Sequence, residues 1–176
     1  MNRLTRILPA AAGLIWAMFI FGCTTELTEP NTPAFAEARG EPVVFTLCRP
    51  QPEASSAGWI GPKGGILKAG RHVLKVPPGS LSTTVWITME APSSSINRVM
   101  FGPSGLIFNS SAPAHLIMSY ANCAVQPGSQ QQIVHVNDRL QILEAAPSET
   151  DPSTLTVDGK LLHFSDYALS TYAVVY

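Results

Sequence analysis

The stretch Thr84-Val85-Trp86-Ile87-Thr88-Met89-Glu90 decides the fold. Val85, Ile87 and Met89 fall on one side of an extended chain. Thr84, Trp86, Thr88 and Glu90 fall on the other. Side chains of a strand alternate between faces with a period of two, so this is a half-buried β-strand. Outward from it, other short apolar runs follow: VVFTLC (43–48), RHVLKV (71–76), RVMF (98–101), GLIF (105–108), HLIMSY (115–120), RLQILEA (139–145), TLTV (154–157), LLHF (161–164) and YALSTYAVV (167–175). Gly, Pro, Ser or Asp bounds each of them. Gly64-Gly65 signals a hairpin, and Pro77-Pro78-Gly79 is a turn that stops pairing. Runs of four to eight residues between such corners predict an all-β antiparallel β-sandwich over residues 43–176. The glutamines 130–132 read as part of a loop.

The chain opens differently. Arg3 and Arg6 precede an uncharged apolar run from Ile7 to Gly22, and then comes Cys23. This is the layout of a secretory signal peptide, over residues 1–22. The ending Ile20-Phe21-Gly22-Cys23 resembles the lipobox of bacterial lipoproteins, in which the cysteine becomes lipidated and N-terminal; Phe21 departs from it, where a small residue is usual. A signal anchor is the alternative, opposed by Pro9 and the terminal cysteine. On the lipoprotein reading, the partner of acylated Cys23 is the lipid bilayer. More than one acyl chain, at about 0.8 kcal/mol per buried CH₂, makes release negligible. Thr24 follows the cysteine; an aspartate there would resemble an inner-membrane retention signal, so the expected location is the bacterial cell envelope, at the outer membrane if one is present. Residues 23–42 are polar, acidic and proline-bearing, and read as the lipidated cysteine with a flexible linker.

Charge excludes one class of function. The net charge is -1, and no Lys/Arg cluster offers a footprint for nucleic acid. Removing residues 1–22 takes away two arginines and leaves -3 (-1 - 2). With Cys23 lipidated, Cys48 and Cys123 remain as an even pair in an oxidising compartment. A bridge would close a loop of 75 positions (123 - 48) and contribute about 4 kcal/mol on the chain-entropy model. Two buried free thiols are the alternative.

The segment IGPKGGILKAGRHVLKVPPGSLSTTVWITMEAP (60–92) resembles the core of a ZU-five domain, the β-sandwich of ankyrins, netrin receptors and tight-junction proteins. The resemblance rests on Gly64-Gly65, Val76-Pro77-Pro78-Gly79-Ser80-Leu81, Val85 with Ile87, and Pro92. It extends through PSGLIF (103–108), Ser119-Tyr120 and HFSDYALSTYAVV (163–175). It implies a ZU-five-like β-sandwich and a non-enzymatic role in protein interaction, scaffolding or adhesion, with an envelope protein as partner. An envelope polysaccharide or peptidoglycan is the other kind of partner considered. Trp86, on the polar face of its strand, is the candidate contact; the alternative is that a loop or the second sheet covers it.

The resemblance also implies a chemical reading of His163-Phe164-Ser165. Some proteins with this domain, a self-cleaving death-domain scaffold among them, cut themselves between Phe and Ser of such a motif. Ser165 Oγ would attack the Phe164 carbonyl, with His163 taking the hydroxyl proton. Asp166 departs from the self-cleaving pattern, which has an aromatic there. The bland reading is a core phenylalanine beside a half-exposed histidine. The remaining motifs are turns: GPKGG (61–65) lacks the P-loop spacing, and GPSG (102–105) falls short of a nucleophile elbow. Asn109-Ser110-Ser111 matches a glycosylation acceptor by chance. His72, His115, His135 and His163 lie on separate strands with no close spacing, and neither cysteine has a ligand-spaced partner. The expectation is no metal and no cofactor.

Overall fold

Gly and Pro corners cut the chain into pieces too short for helices, and the pieces pair as strands. The computed structural model describes residues 43–127 and 129–173. The signal peptide, Cys23 and the linker of the sequence reading lie outside the described residues. In chain order the strands are β1 Val44–Phe45, β2 Ala54–Ile60, β3 Gly65–Ala69, β4 His72–Val76, β5 Val85–Ala91 and β6 Arg98–Gly102. They continue with β7 Ala114–Ser119, β8 Ser129–Val136, β9 Ile142–Ala145, β10 Ser148–Asp151, β11 Thr156–Leu161 and β12 Asp166–Ala173. All pair antiparallel. One sheet has the order β2-β5-β6-β12-β8-β9, with β1 added to β12; the other has the order β10-β11-β7-β4-β3. The protein is therefore a β-sandwich, as the alternation predicts.

The deciding strand behaves as its pattern requires. In β5, Ile87 and Met89 are fully buried, whereas Trp86 and Glu90 are exposed. From the large sheet, Ile87, Met89, Val99, Phe101, Ile133, Tyr167 and Leu169 point inward. They meet Leu67, Leu74, Leu116, Met118, Val157 and Leu161 of the small sheet in one core cluster. Each such fully buried aliphatic or aromatic side chain contributes about 1.5–3 kcal/mol of burial free energy. A second, smaller cluster lies on the outer face of the large sheet, where Val134, Val136 and Ala168 are covered by Phe45, Ile96, Leu140 and Ile142. That cover makes the β8–β12 region apolar on both faces.

Two corners do specific work. Gly64, at φ 74°, closes a tight turn in which its N–H donates to Gly61 O at 2.8 Å. The GPKGG hairpin is thus present, but its two strands part company: β2 belongs to the large sheet and β3 to the small one. At the second corner, Gly79 takes φ 82° and Leu81 folds back into the core. Ser80, buried beside it, donates from Oγ to Ala112 O at 2.6 Å. The bridge expected between Cys48 and Cys123 is formed, tying the segment after β1 to the segment after β7.

Two expectations are corrected, and one strand was not foreseen. Gln130, Gln131 and Gln132 are not in a loop; they open β8, an interior strand between β12 and β9. The polar side chains are held by hydrogen bonds: Gln131 is 2% exposed, and its Oε1 accepts from Thr46 Oγ1 at 2.7 Å and Thr171 Oγ1 at 2.8 Å. A buried amide with its partners supplied costs little, so hydropathy alone misreads the segment. GLIF is not a strand either. Pro103 and the left-handed Gly105 interrupt the extended run, and only Ile107 makes a ladder bridge, to His163. Finally, β10 has the sequence SETD, an edge strand with no apolar alternation to reveal it.

Candidate functional site

Two places stand apart from the packed core. The first is on the rim of the large sheet. Strand pairing sets Tyr167 of β12 opposite His135 of β8, and His135 opposite Glu144 of β9. Residues directly opposite on an antiparallel pair project to the same face. From β11 the chain reaches β12 through residues 162–165, and this connection brings His163 and Ser165 to the same spot. The rings of His135 and His163 lie 5.1 Å apart, and His163 Nε2 is 3.6 Å from Glu144 Oε2.

Ser165 Oγ shares a hydrogen bond of 2.5 Å with His135 Nε2. The sequence reading assigned the base role to His163; the structure instead sets His135, thirty positions upstream, against the hydroxyl. Burial, and then the neighbouring His163, lower the pKa of His135, while Glu144 and Asp166 oppose the shift. A neutral imidazole at this position accepts a proton from the hydroxyl. The Phe164 carbonyl is also engaged, because the N–H of Gly105 donates to it at 3.0 Å. That donor sits on the oxygen that would carry negative charge if the carbonyl were attacked. Gly105 reaches it from the GPSG turn, at φ 77°.

The surroundings hold this connection firmly. Phe164 is 1% exposed, stacks on Phe101 with centroids 4.6 Å apart, and meets Phe108 edge-on at 4.9 Å. Its N–H donates to Leu106 O at 2.7 Å. Tyr167 donates from its hydroxyl to His163 O at 2.7 Å. Burial pushes the Tyr167 phenol far above its ordinary pKa, so it stays protonated and keeps that donor. Asp166 pairs in register with Val136, not His135, and so projects to the opposite face from the cluster.

The remaining histidines are elsewhere. His72 is buried in the small sheet, where its Nδ1 accepts from the Ser119 N–H at 3.3 Å. His115 pairs with Asp158 at 2.9 Å. Sequence spacing hid the meeting of His135, Glu144 and His163, because the β8–β9 register and the path of the β11–β12 connection bring them together.

The second place is the outer face of β2 and β5. Trp86 is 46% exposed, and among the described residues no loop or sheet buries it. Directly opposite in register is Trp59, 70% exposed, with indole centroids 5.3 Å apart and edge to face. Sequence reading named only one of the pair. Trp59 stands two residues before the GPKGG turn, near the end of β2, and only the β2–β5 register sets it opposite Trp86. Asn109 of the glycosylation-like triplet is spent on a turn, its Oδ1 accepting from the Ser111 N–H at 3.0 Å and Ser111 Oγ at 2.8 Å.

No protein-family model matches this chain, and no curated protein matches it.

Proposed function

We propose that this chain is a lipid-anchored, extracytoplasmic β-sandwich, ZU-five-like, that acts as a non-enzymatic protein-interaction module. Cys23 carries the acyl chains, residues 23–42 form the linker, and the domain is displayed in the bacterial cell envelope, at the outer membrane where one is present. The reading is supported by one observation above all: two indoles stand in register on a solvated sheet face. A large apolar side chain left exposed at that position gains nothing from folding. Paired tryptophans are what interface hot spots are built from, since each buries 150–250 Å² and keeps an N–H for a polar partner.

The test uses the chain in its own envelope. A photo-crosslinking residue is placed at Glu90, exposed on the same face of β5 as Trp86, and the adduct is compared with that formed in the Trp59→Ala/Trp86→Ala background. One discrete protein adduct, lost on co-expression of competing wild-type domain but not of the double variant, is the expected result. A double variant that competes as well as wild type refutes the reading. Retention on peptidoglycan or polysaccharide instead, abolished in the double variant, shifts the partner to an envelope polymer. Neither tryptophan is buried, so the double substitution costs about 1 kcal/mol or less.

A second reading is favoured by the Ser165 geometry. In it, Ser165 Oγ attacks the Phe164 carbonyl carbon, His135 takes the hydroxyl proton and passes it to the Ser165 nitrogen, and the C–N bond breaks to leave an ester. Water hydrolyses the ester to a carboxylate on Phe164 and a free hydroxyl on Ser165. Gly105 N–H stabilises the oxyanion. Denaturing mass spectrometry decides it: a fragment beginning at Ser165, absent in Ser165→Ala, supports cleavage, and a single intact chain refutes it.

A further inference from the structure

We propose that His135, Glu144 and His163 form a binding site for a divalent transition-metal ion, and that zinc is the ion their chemistry selects. One potential ligand atom from each lies within 4.8 Å of the other two. The three come from β8, β9 and the β11–β12 connection, and the His135–Glu144 pair is set by the strand ladder itself. Donors carried on paired strands are held by backbone hydrogen bonds, not by loop conformation.

The dimensions suit the ion. Tetrahedral zinc with bonds of about 2.0–2.1 Å places its ligand atoms about 3.4 Å apart. His163 Nε2 and Glu144 Oε2 are already 3.6 Å apart. The other separations are at most 4.8 Å, and small side-chain rotations would close them; the side chains of His163 and Glu144, 33% and 60% exposed, have room to turn. Two imidazoles and one carboxylate make a borderline donor set that favours zinc over calcium or magnesium, which take oxygen ligands. A third protein ligand leaves the fourth position to water. The support behind His163 is in place, since Tyr167 fixes the backbone carbonyl of that residue. An isolated His–Glu ion pair would explain Glu144 and His163 alone. It leaves unexplained why a second imidazole lies within 4.8 Å of the same carboxylate.

The inference does not depend on either reading of function. The experiment uses the full chain carrying Ser165→Ala, purified in mild detergent, so that backbone cleavage cannot alter the sample. Zinc chloride alone is titrated in competition with a chromophoric chelator. One equivalent is expected to bind, and the melting temperature to rise by about 5 °C at saturating zinc. Glu144→Gln and His163→Gln, both at partly exposed positions, are each expected to weaken binding by about tenfold or more. His115→Gln, on the other sheet, is expected to leave it unchanged. Failure of the chain to compete with the chelator overturns the proposal. So does either ligand variant losing less than that tenfold, because the bound zinc would then sit elsewhere, at His115 and Asp158 for instance.

Discussion

Replacing Phe164 with alanine tests whether the HFS segment is held by the core. The ring is fully buried, stacked on Phe101 and edge-on to Phe108. Truncating a buried phenylalanine costs about 3–5 kcal/mol, counting both lost transfer energy and the cavity left behind. The two ring contacts, worth about 0.5–1.5 kcal/mol each beyond their area, place this site in the middle of that range, at about 4 kcal/mol. Collapse cannot recover much, because Phe101 and Phe108 are themselves buried in the same core cluster. For a domain of this size a urea m-value of about 2 kcal/mol/M converts the loss to a midpoint shift of about 2 M. Urea unfolding followed by far-ultraviolet circular dichroism reads it directly. A shift under about 0.5 M, equal to about 1 kcal/mol, refutes the reasoning. The ring would then not be the peg that holds the Phe164 carbonyl against Gly105, and both the packing of the rim and the oxyanion geometry would fall together.

Three further outcomes are expected. Reducing the Cys48–Cys123 bridge, which spans 75 positions, lowers stability by about 4 kcal/mol on the loop-entropy model, seen as a lower urea midpoint with reductant that Cys48→Ser/Cys123→Ser reproduces. Burial, and then Arg71, lower the pKa of His72 to about 4, below its unfolded value of about 6.5, so the unfolded chain binds more protons between those values; stability is intact above about pH 6.5 and falls by up to about 3 kcal/mol as pH drops to 4, a slope that His72→Gln flattens in pH-dependent melting. Gly64→Ala fails to give folded protein, because its Cβ would overlap the backbone, 2.2 Å from Val76 O and 2.8 Å from Pro77 C, whereas Gly79→Ala, with open space around it at a similar φ, costs only about 1–2 kcal/mol in a chemical melt.

The sequence by itself determined the sandwich. Period-two alternation in 84–90, with corners at Gly64-Gly65 and Pro77-Pro78-Gly79 ahead of it and further short runs after it, allows little else, because strand periodicity and turn chemistry are local properties. It also singled out Phe164 as a core candidate, Trp86 as an exposed one, and Cys48 with Cys123 as a pair by parity. What only the tertiary structure decided is who meets whom. Nothing local marks Gln131 as buried, since its hydrogen-bond partners Thr46 and Thr171 lie 85 and 40 positions away. Nothing local brings His135 to Ser165, Glu144 to His163, or Trp59 to Trp86. Those meetings follow from strand order and register, which are fixed by burial across two sheets and by the sum of many long-range pairings, and no window of neighbouring residues contains that information.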